Sequence, residues 1–154
     1  MSEIVLNAKD LKPVMQGLAK VVSRKSTLPV LQNVRVAREN NVVTLQATDL
    51  DAWTTYRRPQ PGEPLAFLVP FETLNRTVKA LKGEAAITLH QTKDGRRLVY
   101  QVGNSPVEVK LTGPDLKEWP AEPRVEGAAQ TLPTSFKSAF REAVECSSTD
   151  SSRY

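Results

Sequence analysis

Apolar residues fall at helical spacing in three stretches of the chain, and each stretch is entered from a short apolar run. Ile4-Val-Leu6 leads to a stripe of Leu11, Val14, Met15, Leu18 and Val22. Leu65-Ala-Phe-Leu-Val69 leads to Leu74, Val78 and Leu81, and Gln130-Thr-Leu132 leads to Phe136, Phe140, Ala143 and Val144. Recurrence at i, i+3/i+4 and i+7 predicts amphipathic helices reaching Val22, Leu81 and Val144. Asp10 is the expected N-cap of the first helix, with Pro13 in its first turn. Gly83 is the expected stop of the second.

Between the helices the period changes to two. Val34 and Val36, with Leu31 ahead of them, alternate with polar residues, as do Val43, Leu45 and Ala47; Trp53, Thr55 and Arg57 then alternate with Ala52, Thr54 and Tyr56. Asn40-Asn41 marks a hairpin, because Asn tolerates positive φ. After the second helix the runs Ala86–Gln91, Arg97–Val102 and Pro106–Leu111 read as strands, with turns at Asp94-Gly95 and Gly103-Asn104. The order strand-helix-strand-strand-strand therefore occurs twice, roughly 63 residues apart, and begins a third time. One such unit cannot bury both its helix stripe and its sheet face, whereas two copies around a shared core can. The expected fold is α+β: a domain over residues 1–121, with halves of about 1–60 and 61–121, two helices and antiparallel sheets. Residues 122–154 are expected to be a Pro- and Gly-containing linker plus the opening strand and helix of an incomplete further unit. That helix, over about 136–145, has no sheet of its own to cover it. It is expected to be loosely held or to pack on a neighbouring chain.

Composition narrows the function classes. The net charge is +4, and 25% of residues are charged. No apolar run is long enough to span a bilayer. The Met-Ser-Glu-Ile-Val start has no basic segment followed by an apolar one, so no secretory signal and a cytoplasmic location are expected. The single cysteine, Cys146, rules out an internal disulfide and is expected semi-buried at a helix end. Enzyme readings are weak. Thr134-Ser-Phe-Lys137 resembles a Ser-x-x-Lys motif with Thr at the nucleophile position, and Lys110-Leu-Thr-Gly113 is one residue too long to be its Lys-Thr-Gly partner. His90, the only histidine, lies mid-strand. Asp49 and Asp51 read as turn residues, and there is neither a Gly-rich phosphate loop nor metal-ligand spacing.

Ser26-Thr-Leu-Pro-Val-Leu-Gln-Asn-Val34 and Val43-Thr-Leu-Gln-Ala-Thr-Asp-Leu-Asp51, together with Leu11-Lys-Pro-Val14, Asp115-Leu-Lys-Glu-Trp-Pro120 and Ser148-Thr-Asp-Ser-Ser-Arg-Tyr154, resemble the bacterial sliding clamp family, the beta subunits of DNA polymerase III. The resemblance implies a DNA-clamp fold in the first domain followed by the start of a second. It also implies that the parent protein closes head to tail as a homodimeric ring around duplex DNA. Such a ring is opened by a clamp loader and tethers the replicative polymerase as a processivity factor. It needs no cofactor or metal and performs no chemistry of its own. Helices line the hole in this family. The resemblance thereby implies DNA-facing roles for Lys12, Lys20, Arg76, Lys79, Lys82, Lys137 and Arg141, and for Arg24 and Lys25 in the link after the first helix. It implies a protomer-contact role for Val107, Val109 and Leu111. Alternative readings of the same residues are an ordinary solvated helix face and an ordinary core-facing strand. The alternative function is a charge-driven DNA-binding module that does not enclose its ligand.

Overall fold

The computed structural model describes residues 2–22, 26–123, 126–128 and 131–146. The chain divides into two compact units, Met1–Glu122 and Pro123–Tyr154.

In the first unit β1 (Ser2–Asn7) runs directly into α1 (Ala8–Leu18), followed by β2 (Asn33–Glu39), β3 (Val42–Thr48) and β4 (Trp53–Pro59). The order then repeats as β5 (Leu65–Pro70), α2 (Phe71–Ala80), β6 (Ala86–Thr92), β7 (Gly95–Val102) and β8 (Ser105–Leu111). The strands form two antiparallel sheets in the orders β1-β6-β7-β8 and β4-β3-β2-β5. Each half thus lends its first strand to the other half's sheet: Ile4 pairs with Leu89, and Val69 with Val34. This reciprocal exchange is why one core serves both halves. Ile4, Leu11, Leu18, Val36, Phe67, Leu74 and Leu89 meet in it, each no more than 2% exposed. Burial of each such side chain contributes roughly 1.5–3 kcal/mol relative to exposure.

Long side chains lock the exchanged strands. The buried Arg38 of β2 donates from Nη1 to the Glu3 carbonyl of β1 (2.9 Å) and from Nε to the Glu63 carbonyl (2.8 Å). Gln60 Nε2 donates to the Val5 carbonyl at 2.7 Å. Reciprocally, Arg96 of β7 donates to the Leu68 carbonyl of β5 (3.0 Å) and to those of Gly113 (3.0 Å) and Pro114 (3.3 Å). A second small cluster covers the outer face of the β2/β5 sheet, where Val30, Leu31 and Leu68 are packed by Leu116 and Trp119. Trp119 also meets Trp53 edge-on, with centroids 6.3 Å apart, and Glu122 accepts from Gln46 Nε2 at 2.8 Å. The segment after β8 is therefore held against the unit as far as Glu122.

Several local expectations change. The N-cap of α1 is Asn7, whose side chain accepts from the Lys9 N–H at 2.9 Å. Strand and helix abut there, so the helix starts earlier than Asp10 and Pro13 lies beyond the first turn. Leu31 lies in a 3-10 turn over Pro29–Gln32, not in a strand. The Asn33 side chain ties that turn by donating to the Pro29 carbonyl at 2.8 Å. Asn40 and Asn41 both have positive φ (51° and 61°), as the hairpin between β2 and β3 requires. The hairpin between β6 and β7 turns at Lys93-Asp94, with Gly95 already in β7.

In the second unit α3 spans Thr134–Glu145. Thr131 and Leu132 belong to no strand, and Gln130 lies outside the described residues. A strand there would need a partner to satisfy its backbone, and none of the described residues supplies one. Phe136 and Phe140 stack at 5.9 Å, yet remain 45% and 60% exposed. Cys146, expected semi-buried, is exposed at the C-cap of α3.

Candidate nucleic-acid interface

The apolar stripes of α1 and α2 face the core, which leaves their polar sides outward and the two helices in contact with each other. Between them runs a shallow groove of about 290 Å³, lined by Lys12, Met15, Gln16, Ala19, Asn75, Val78 and Lys79. Lys12 and Lys79 thus flank the same groove from opposite helices. The repeat aligns the N-caps Asn7 and Pro70, so Lys12 corresponds to Asn75 and Lys79 to Gln16. The groove cations are therefore not copies of one another: each helix supplies one lysine and one amide. The family resemblance singled out the lysines. Gln16 was visible only as an off-stripe polar residue, and Asn75 carried no signal because it is mid-helix and buried.

Lys20, Arg76 and Lys82, on or just past the same two helices, are exposed. Lys20 and Lys82 lie past the ends of α1 and α2, not on the helix faces, where a cation complements the negative end of the helix dipole. Among the described residues none of Lys12, Lys20, Arg76, Lys79 and Lys82 is in an ion pair. Asp10 binds Arg58 at 3.1 Å and Lys9 binds Glu84 at 3.3 Å, while Glu72 in the first turn of α2 adds an exposed carboxylate. Among the described residues these helices carry more cations than carboxylates on their outward sides, with Gln16 and Asn75 lining the groove. This suits phosphate attraction, which is sequence-independent and screened by salt.

The remaining basic candidates differ. Lys137 and Arg141 share the polar face of α3 with Glu142 and Glu145, so that face is charge-balanced. Arg24 and Lys25 lie outside the described residues, as do Ser148–Tyr154.

In β8 the apolar side turns inward. Leu111 is 4% exposed in the core, Val109 packs against that core, and Val107 is half-buried. Alternation places all three side chains on the face that the helices cover, with Leu111 the most deeply buried of them. What β8 leaves open to a neighbour is its backbone, since it is an edge strand.

His90 Nδ1 stands 3.6 Å from Glu3 Oε2, its cross-strand neighbour. Asp49 Oδ1 accepts from the N–H groups of Asp51 (3.1 Å) and Ala52 (2.7 Å), which makes it a turn residue. Among the described residues no group of three or more His, Cys, Asp or Glu side chains could hold a metal ion. No helix among them is long and apolar enough to cross a membrane.

Residues 3–123 match the family described as DNA polymerase III beta subunit, N-terminal domain. The beta sliding clamp of Pseudomonas putida is 35% identical over 97 residues, covering 62% of this chain and 26% of the relative. That of Caulobacter vibrioides is 34% identical over 104 residues, covering 67% and 28%. The chain therefore spans little more than a quarter of these curated relatives. The crystal structure of the DNA polymerase III subunit beta from Pseudomonas aeruginosa superposes with a TM-score of 0.76 at 23% identity, over 98% of this chain and 41% of that one, which shows the shared fold. A duplicated α+β unit with exchanged first strands, matched by sequence across its whole first unit, places this chain in the family of bacterial DNA polymerase III beta subunits, the sliding clamps, through their N-terminal domain.

Proposed function

We propose that the chain is the DNA-facing first domain of a polymerase processivity clamp. The parent protein encircles duplex DNA as a homodimeric ring in the cytoplasm, is opened by a clamp loader and tethers the replicative polymerase. It works by enclosure and weak charge contact, without an active site. The observation that carries the proposal is the α1/α2 groove, where Lys12 and Lys79 face each other across Gln16 and Asn75, with exposed Lys20, Arg76 and Lys82 on or just past the same two helices. Such a surface holds the duplex near the domain without fixing its register, which sliding requires. Arg24 and Lys25, and separately Lys137 and Arg141 of the second unit, are proposed as further DNA-facing residues. Backbone pairing along β8, with Val107 and Val109 packed beneath it, is proposed to supply the ring contact.

Fluorescence anisotropy of labelled duplex DNA with the 154-residue chain tests the DNA-facing part of this reading. Weak binding is expected, with affinity falling steeply as salt rises. Replacing both Lys12 and Lys79 with Gln should lower the slope of log affinity against log salt by about two. Tight, salt-insensitive binding, or binding indifferent to both substitutions, would contradict the proposal.

A further inference from the structure

Among the described residues the buried polar side chains have partners inside the fold, with one exception. Asn33 donates to the Pro29 carbonyl at 2.8 Å, and Arg38 to those of Glu3 and Glu63. Gln46 Nε2 donates to Glu122 at 2.8 Å, Thr48 Oγ1 accepts from the Leu50 N–H at 2.9 Å, and Thr77 Oγ1 donates to the Thr73 carbonyl at 3.0 Å. Asn75 is 7% exposed, yet among the described residues its side-chain amide has no hydrogen-bond partner. It lines the α1/α2 groove. A buried amide left unpaired costs stability, so its presence there calls for a reason.

The rest of the groove supplies one. Lys12, Met15, Gln16 and Ala19 fall at i, i+3, i+4 and i+7 along α1 and its C-cap, and Asn75, Val78 and Lys79 at i, i+3 and i+4 of α2. One face of each helix therefore builds the walls. Met15 and Val78, both buried, form an apolar floor with Ala19, and an exposed lysine stands on either helix. The volume of about 290 Å³ is that of a small-molecule site. Positive charge, apolar surface and an unpaired donor–acceptor group thus meet in one place. A bare phosphate uses only the first. An apolar side chain from a partner uses the second and seals the Asn75 amide from water with nothing to bond. A flat ring that carries both an anion and a donor–acceptor edge uses all three.

We propose that the α1/α2 groove binds a nucleoside monophosphate. The phosphate lies between Lys12 and Lys79, the base covers Met15, Ala19 and Val78, and the base edge meets the Asn75 amide. Adenine is the base that an asparagine amide matches: the amide NH2 donates to N7, and the amide oxygen accepts from the N6 amino group. The polarizable Met15 sulfur favours an aromatic ring above it. The inference adds a second ligand to the groove that the DNA-facing reading uses. It rests on the groove's own residues and not on that reading.

Titration of the isotope-labelled 154-residue chain with adenosine monophosphate at low salt, with no DNA present and followed by amide chemical shifts, tests it. The backbone signals of Lys12, Gln16, Asn75 and Lys79 and the side-chain amide signals of Asn75 should move together and saturate. Adenosine and inorganic phosphate each lack one part of the ligand and should each bind at least about tenfold more weakly. Asn75→Leu keeps the side-chain size and removes the amide. It should weaken adenosine monophosphate about tenfold, and should not lower the melting midpoint, because the unpaired buried group is gone. Replacing both Lys12 and Lys79 with Gln should weaken adenosine monophosphate and inorganic phosphate alike. Inorganic phosphate binding as tightly as adenosine monophosphate would overturn the proposal by reducing the groove to a patch of charge. So would an affinity indifferent to Asn75→Leu, shifts confined to residues outside the groove, or the lack of any saturable shift. The wild-type titration reads the Asn75 amide directly, so the test stands even if the variant fails to fold. A negative result leaves the DNA-facing reading in place, and duplex DNA that avoids the groove leaves this one in place.

Discussion

Arg96 and Arg97 are neighbours in β7, yet the structure assigns them opposite energetic roles. The Arg96 guanidinium reaches across to the other sheet and donates to the carbonyls of Leu68, Gly113 and Pro114 at 3.0, 3.0 and 3.3 Å, the first and last of these bonds being part-buried. Arg97 points outward and pairs with Glu108 at 2.8 Å, with both side chains largely exposed (42% and 52%). Hydrogen bonds from a charged donor are worth about 1.5–3 kcal/mol when buried and less where water can replace them. Substituting Arg96 with Ala strands two part-buried carbonyls and frees the β5 edge, for an expected loss of about 2–3 kcal/mol. Arg97→Ala breaks a surface ion pair and should cost no more than about 1 kcal/mol. In urea unfolding followed by tryptophan fluorescence, with a slope of about 2 kcal/mol/M, Arg96→Ala should lower the midpoint by about 1–1.5 M and Arg97→Ala by at most about 0.5 M. Equal shifts, or a larger one for Arg97→Ala, would refute the stapling role of Arg96 and the account of how the exchanged β5 strand is held.

Asn7→Ala removes the α1 cap and should cost about 1 kcal/mol, measured by thermal or urea unfolding. Asp10→Ala, which breaks only a half-exposed ion pair with Arg58, should cost less. Gly62→Ala places a Cβ within 2.5 Å of the Arg38 guanidinium at a φ of +145°, and should cost about 1–3 kcal/mol in the same assay. Phe140→Glu changes a residue that is 60% exposed in the second unit, and should leave the unfolding free energy of the first unit, from urea titration, within about 0.5 kcal/mol of wild type.

Local pattern made the elements legible and left their partnership hidden. Val43, Leu45 and Ala47 alternate because one side of β3 faces the core, and Asn40-Asn41 turns because both residues accept positive φ. Those causes act within a few residues and show in the sequence. The exchange of β1 and β5 between sheets acts over a much longer range. Duplication hinted at a shared core but could not say which strand pairs with which. Arg38 and Arg96 looked like ordinary strand arginines, since nothing near them in sequence marks a carbonyl on another sheet. Asn7 was passed over as a cap because strand and helix join there without a loop. Leu111 showed its alternation but not which face the helices cover. At the candidate site, the exposed lysines were legible as off-stripe positions. Their gathering into one groove, and the amides between them, required the packing of α1 against α2.

The central claim is that duplex DNA meets this domain on the α1/α2 side. Mapping amide chemical-shift changes while titrating a short duplex at low salt tests it most directly. The account predicts that signals from Lys12, Gln16, Asn75 and Lys79 move together and return as salt is added, while those of Thr44 and Val99 on the outer sheet faces stay put. Shifts concentrated on the outer faces, with the groove residues unmoved, would contradict it.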